Sequence, residues 1–457
     1  MTAHVCHWLW ERFAHCAERD AIVYQDQCVS YAQLQARMEE WHGMLAAHGV
    51  RPGAVVGFRS DYTPTICALF LALLRNGNVA APLPTTGETP QPYLQFAHAD
   101  AYIEITDQTW SFTALAPPEP SPLLQGLRAR QAAGLVVCSS GTTGTCKAGL
   151  FDVERLMTRY RELRRGYRTL VFLRLDHLGG MHTLLHTLAH GGTVVVSQDR
   201  QPEAVCGAVE QHSIELLPTT PTFLRMLILS RSYERYDLSS LQLITYGTEP
   251  MPPKTLQDLT RLLPHVRFKQ TYGLSELGVL PTRSEASGSL WLQVGGIGCE
   301  TRIIDNRLWI RSDTAMLGYL NAPSPFDPDG WYNTQDVVEV NGPYIRILGR
   351  ESDLINVGGE KVYPIEVENV LLELDNVREA TVWGQASPVT GQVVAARVSL
   401  EQPEAQDALE RRVHQFCRQR LAAYKIPVFV DMVKDTHQSE RFKKRRPLAP
   451  TGLIRHA

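Results

Sequence analysis

The residue types that bind phosphate are gathered between Val136 and Lys147. A short apolar run, Val136-Val137-Cys138, breaks into Ser139-Ser140-Gly141-Thr142-Thr143-Gly144-Thr145-Cys146 and ends on Lys147. Glycine lets a backbone turn tightly and bring its N–H groups close to a ligand, Ser and Thr add hydroxyl donors, and Lys adds a compact positive charge. Together they make an anion nest suited to a polyphosphate. On composition alone the run also reads as a polar surface turn. A Walker A loop is excluded by spacing, since that loop needs Gly before its Lys and Ser or Thr after it, whereas Cys146 and Ala148 flank Lys147.

Elements that alternate in type must position this run. Trp8 to Ala17 has helical spacing; Ala21 to Tyr24 and Val55 to Phe58 read as strands, and Thr65 to Arg75 as a helix. Beyond Lys147, strands are predicted at Leu170 to Leu173, Thr193 to Val196, Ile214 to Leu217 and Leu241 to Thr245, with a helix over Met181 to His190. Such alternation predicts a parallel sheet covered on both faces, with ligands at the carboxyl ends of its strands. Two more polar, glycine-containing turns follow strands, Tyr246-Gly247-Thr248-Glu249-Pro250 and Thr271-Tyr272-Gly273-Leu274-Ser275-Glu276, and the three turns are expected to converge on one crevice. From Gly295 the pattern becomes hairpins, clearest at Val337 to Leu348 around Asn341-Gly342. A small module follows, with helices at Pro364 to Leu374 and Asp407 to Ala423 and strands at Ala380 to Trp383, Val393 to Val398 and Val428 to Met432. The expected class is α/β: a large domain of layered α/β sheets with a β-rich subdomain over residues 1–349, and a small, mobile α+β lid over 350–457.

With 457 residues, more than one core is expected. A hydrophobic content of 44%, a charged content of 20% and a net charge of −3 describe an ordinary globular chain with no call for nucleic acid or an acidic membrane as partner. No apolar run reaches the length of a membrane span, and the residues around Trp8 and Trp10 do not read as a signal peptide. Nine scattered cysteines without a CxxC pair suit a reducing cytoplasm.

The run Ser139 to Lys147 resembles the phosphate loop of the adenylate-forming superfamily, which includes acyl- and aryl-CoA synthetases, peptide-synthetase adenylation domains and luciferases. Further motifs of that family recur in order over nearly the whole chain. The resemblance implies that Tyr272, followed by Gly273, lies against adenine, that Ser275 hydrogen-bonds near the phosphates or carboxyl, and that Glu276 helps to hold Mg²⁺, a hard cation that takes carboxylate and phosphate oxygens. Gly247, Thr248 and Glu249 resemble the adenine-contacting turn. Trp331 to Asp336 resembles the segment whose aspartate grips the ribose hydroxyls, with Gln335 where the family usually has Gly; Arg350 matches the arginine that also contacts ribose. Ser352, with Asp353 beside it, stands at the family's hinge. Gly358 and Gly359 match the glycine pair that lines the pantetheine tunnel. The resemblance places His177, in Asp176-His177-Leu178-Gly179-Gly180, as the gate between acid and thiol sites, and Lys443, with Lys444 as the alternative, as the lid lysine.

The implied reaction has two steps: a carboxylate attacks the α-phosphate of ATP, then the acyl group passes to a thiol. Implied cofactors are ATP, Mg²⁺ and coenzyme A or a phosphopantetheine carrier; implied partners are a small carboxylic acid and coenzyme A, or an acyl or peptidyl carrier protein. Leu178, standing where amino-acid-activating domains place an aspartate, argues against an α-amino acid, and Leu173, His177, Tyr246, Gly273 and Val279 lean towards an aryl or medium-sized acyl group. Other readings are a carrier-protein ligase, a luciferase-like oxygenase and a non-catalytic nucleotide sensor.

Overall fold

The computed structural model describes residues 6–85, 89–106, 109–116, 119, 121–140, 146–197 and 199–433. Two seven-stranded sheets make the large part of the chain. One runs in the order Arg267–Gln270, Leu243–Tyr246, Leu216–Thr219, Arg168–Leu170, Thr193–Val196, Asp20–Tyr24, Gln27–Ser30, parallel except for its last pair. The other centres on the parallel strands Val55–Arg59, Val79–Pro82, Ala101–Ile105 and Gly134–Ser140. Successive residues of a strand face opposite ways, so both faces of these strands are apolar. Val56, Phe58, Ala80, Leu135 and Val137 pack into a core shared with the first sheet, while Val55, Val79, Ala81 and Val136 pack into a second core behind.

The helix Pro64–Arg75 belongs to the shared core. Thr63 accepts the Ile66 N–H at 3.1 Å, Pro64 opens the first turn, and Ile66 to Leu74 are all buried. A helix apolar all round can only sit between layers. A six-stranded antiparallel sheet follows, containing the hairpin Tyr332–Asn341 and Tyr344–Arg350 that Asn341-Gly342 predicts. Residues Ile355 to Val433 then build a five-stranded sheet with the helices Pro364–Leu372 and Gln406–Arg418 around a core of their own.

Two boundaries differ from expectation in ways that matter for function. The strand expected to reach Leu173 ends at Leu170. Past it, Arg200 Nε donates to the Phe172 carbonyl at 2.6 Å and the Tyr62 hydroxyl to the Leu173 carbonyl at 3.0 Å. The next helix opens at Leu178 rather than Met181, directly after His177. Gly180 permits this, because a Cβ there would lie 2.0 Å from the Arg174 carbonyl oxygen.

That helix, Leu178–Ala189, carries His182 and His186 and ends against His190, the three at four-residue spacing with rings 5.6 and 4.5 Å apart and the Tyr160 hydroxyl against His182 Nδ1. Burial, with neighbouring His190 and Arg159, pushes the His186 pKa down to about 3; burial and Arg12 push that of His190 down to about 4. Below pH 6.5 the unfolded chain therefore binds protons that the folded one refuses, so the stability these groups allow is lost as pH falls from 6.5 towards 3. For His186 the slope is ~1.4 kcal/mol per pH unit, about 2 kcal/mol by pH 5. Urea unfolding at pH 7 and pH 5 should show the acid loss reduced by that amount in His186→Gln; an unchanged loss would remove His186 as its source.

Candidate active site

The strands Leu216–Thr219, Leu243–Tyr246 and Arg267–Gln270 are neighbours in one sheet, so their carboxyl ends deliver Thr220 to Thr222, Gly247 to Pro250 and Thr271 to Glu276 side by side. The turns are tied together. The Thr271 N–H donates to the Tyr246 carbonyl at 2.8 Å and the Thr222 N–H to Glu249 Oε1 at 2.8 Å. A Cβ at Gly247 would lie 2.5 Å from Thr271 Oγ1, so only glycine admits this approach. Thr248 holds φ at +73°, a left-handed conformation that is strained for a β-branched residue and that clusters at functional sites.

A cleft of about 370 Å³ opens over these turns, and Thr248, Glu249, Tyr272, Gly273, Asp336 and Arg350 line it. Inside it, the Tyr272 hydroxyl donates to Asp336 Oδ2, and Arg350 Nε donates to Asp336 Oδ1 at 3.2 Å. Strand pairing sets this up, since Asp336 stands opposite Arg350 in the hairpin ladder. Burial raises the Asp336 pKa while Arg350 draws it back down, and burial beside that carboxylate keeps Tyr272 protonated. Gln335 has φ at +60°, the conformation that explains a glycine preference at this position.

The phosphate-loop run lies on the other sheet, as an antiparallel hairpin. Gly134–Ser140 pairs with Cys146–Asp152, Ser139 opposite Lys147 and Ser140 opposite Cys146. Gly141, Thr142, Thr143 and Gly144 lie outside the described residues, as does the side chain of Ser140. Asn321 secures the outgoing strand: its Nδ2 donates to the Cys146 carbonyl at 2.8 Å and its Oδ1 accepts the Ala148 N–H at 2.9 Å. Next to it, Tyr319 joins the two sheets. Lys147 Nζ lies 5.3 Å from the centre of the Tyr319 ring, and the Tyr319 hydroxyl donates to Glu276 Oε1 at 2.6 Å. Tyr332 also faces Glu276, and burial together with that carboxylate raises its pKa. Neither Tyr319 nor Asn321 stands out in the sequence; the one signal is the turn-like Gly318-Tyr319-Leu320-Asn321-Ala322-Pro323.

Glu276 suits Mg²⁺. Among the described residues no group of three or more His, Cys, Asp or Glu could cage an ion. Mg²⁺ characteristically takes one or two carboxylates and completes its shell from phosphates and water. The Tyr319 hydroxyl fixes one oxygen of the Glu276 carboxylate. In Tyr319→Phe the ring stays under Lys147 while Glu276 loses its donor. The Mg²⁺ concentration for half-maximal pyrophosphate exchange should rise about tenfold, the worth of one charge-assisted hydrogen bond. An unchanged Mg²⁺ dependence would contradict this.

Other expected residues, Ser139, Lys147, Gly247 and Glu276 among them, do not line the cleft. His177 precedes the helix Leu178–Ala189, and Asp176 beside it forms an ion pair with Arg174 at 3.7 Å. Ser275 lies between Tyr272 and Glu276, partly buried and off the wall. Gly358 and Gly359, φ +60° and +96°, form the turn between Ile355–Val357 and Glu360–Val362, also off the wall. Lys443 and Lys444 lie outside the described residues.

The family model of AMP-binding enzymes matches residues 9–133 and 132–320, and that of the AMP-binding enzyme C-terminal domain matches 366–443. The chain therefore belongs to the AMP-binding enzymes, the adenylate-forming superfamily that its motifs resemble. It is 28% identical to an indoleacetate–CoA ligase of Aromatoleum aromaticum, covering 92% of each chain. A 2-succinylbenzoate–CoA ligase of Bacillus subtilis is 27% identical with the same coverage, and a feruloyl-CoA synthase of Amycolatopsis sp. is 28% identical over 98% of this chain and 96% of that one. In fold it is similar to the anthranilate CoA ligase AuaEII in complex with anthranoyl-AMP, at a TM-score of 0.81 and 20% identity over 95% of both chains.

Proposed function

We propose that this chain is an ATP-dependent acid–CoA ligase that activates an aryl carboxylic acid as its adenylate and passes the acyl group to the thiol of coenzyme A. The observation that carries the reading is the buried Asp336–Tyr272–Arg350 cluster on the cleft wall, with Tyr332 facing both Asp336 and Glu276 and Tyr319 tying Glu276 to Lys147. Asp336 can accept both vicinal ribose hydroxyls, Tyr272 borders the base, and the Ser139 to Lys147 turn receives the departing phosphates. Glu276 would hold Mg²⁺, which would neutralise charge on the phosphates. Attack of one anion on another gains from positioning and from fixed positive groups, the part given to Lys147 and Lys443. The aromatic acids in the names of several relatives support an aryl substrate.

Pyrophosphate release over a panel of indolyl, succinylaryl, hydroxycinnamoyl and short aliphatic acids, each with coenzyme A or a loaded carrier protein as acceptor, tests the reading. Acid-dependent release with aryl acids and thioester formed on coenzyme A is expected. ATP binding without release for any acid would overturn it, and transfer to the carrier protein alone would replace the acceptor.

A further inference from the structure

The large part of the chain meets the module that begins after Arg350 along a seam. Arg225, on the helix Pro221–Ser230, crosses it. Its Nε donates to the carbonyl of Arg378 at 3.2 Å and its Nη2 to that of Val377 at 3.3 Å. Among the described residues it forms no ion pair; Asp258, Glu379 and Glu401 are the carboxylates that face it at longer range. A guanidinium fork aimed at two successive carbonyls reads one backbone geometry and loses both bonds when that backbone turns away.

Two further facts tie this contact to the reaction. Glu249, on the cleft wall, accepts the Thr222 N–H at the first turn of the helix that carries Arg225, so the nucleotide side and the seam share one rigid element. In this arrangement Arg378 to Thr381 close one side of the cleft while the Gly358–Gly359 turn stays off its wall. A thiol that enters past Gly358 needs a different placement of the module.

We infer that Arg225 is a latch that holds the small module in the orientation of the first half-reaction and must release before thiol transfer. The inference rests on the two-step ligase reading. Arg225 also lines the cleft, but its Nε and Nη2 are engaged by the two carbonyls, so its part is that of a positioning residue: it raises the population of one orientation and thereby opposes the other.

The test uses the full chain, Arg225→Ala and Arg225→Lys, with each half-reaction measured alone. Acid-dependent pyrophosphate exchange should fall about tenfold in Arg225→Ala, the worth of the lost charge-assisted bonds, whereas thioester formation from supplied acyl-adenylate and coenzyme A should stay level or rise. Arg225→Lys, which can reach one carbonyl, should recover part of the exchange. Small-angle scattering should show a broader spread of module positions in Arg225→Ala. An equal fall in both half-reactions, or an unchanged spread, overturns the latch. An absence of any acid-dependent exchange in the unaltered protein would count against the ligase reading instead, and the scattering comparison would still decide the latch.

Discussion

Replacing Asp336 with alanine should raise the KM for ATP by about 10- to 100-fold, because charge-assisted hydrogen bonds to a buried carboxylate are worth roughly 1.5–3 kcal/mol. The ribose loses its acceptor in both half-reactions, so transfer from supplied adenylate should weaken by a similar factor. The fold pays as well. The Tyr272 hydroxyl loses its buried acceptor, and the half-exposed Arg350 its counter-charge. A buried donor left without a partner costs about 1–3 kcal/mol, and solvent reaching Arg350 keeps the loss near the lower end. Asp336→Asn, which retains one acceptor oxygen, should lie between the two. Pyrophosphate exchange at varied ATP, beside equilibrium unfolding of each variant, measures both effects. An unchanged KM in a folded Asp336→Ala protein would remove Asp336 from the nucleotide site.

Lys443→Ala should show the opposite division of labour. A cation brought to the α-phosphate acts where charge develops, and losing such a donor costs ~10²–10³-fold in rate. Adenylation should fall by that factor with the KM for ATP little changed, since the interaction belongs to the transition state. Thiol transfer from supplied acyl-adenylate should be spared. If Lys444→Ala gives that pattern and Lys443→Ala does not, the assignment moves one residue; equal loss in both half-reactions for each removes the segment from the first step.

The two variants separate what holds the nucleotide from what drives its chemistry. Arg225→Ala, in turn, should alter the balance between half-reactions without touching the KM for ATP. Tyr319→Phe should shift only the Mg²⁺ dependence. The four predictions carry different signatures because each residue is assigned a different part in the proposed reaction.

Much of the site is readable along the chain because its chemistry is local. A run such as Ser139 to Lys147, or Tyr272 to Glu276, must keep its hydroxyls, glycines and charges within a few residues to surround one phosphate or one base edge. Gly247 is legible as the glycine of a polar turn after a strand, but its close approach to Thr271 is seen only in the fold. The alternation of apolar runs likewise determined the class of fold, since strands buried on both faces leave few other arrangements.

Other features became visible only in three dimensions. Asn321 clamps a strand 175 residues earlier in the chain, and Arg225 reaches carbonyls more than 150 residues later; no spacing along the sequence encodes either contact. The end of a strand at Leu170 depends on Arg200 and Tyr62 capturing the carbonyls that follow. By itself, then, the sequence determined the α/β class of the fold and pointed to candidate residues for a nucleotide. Folding alone decided that Tyr319 joins Lys147 to Glu276 and that Arg225 spans the seam, because pairing between distant strands and helices is settled by how the layers pack.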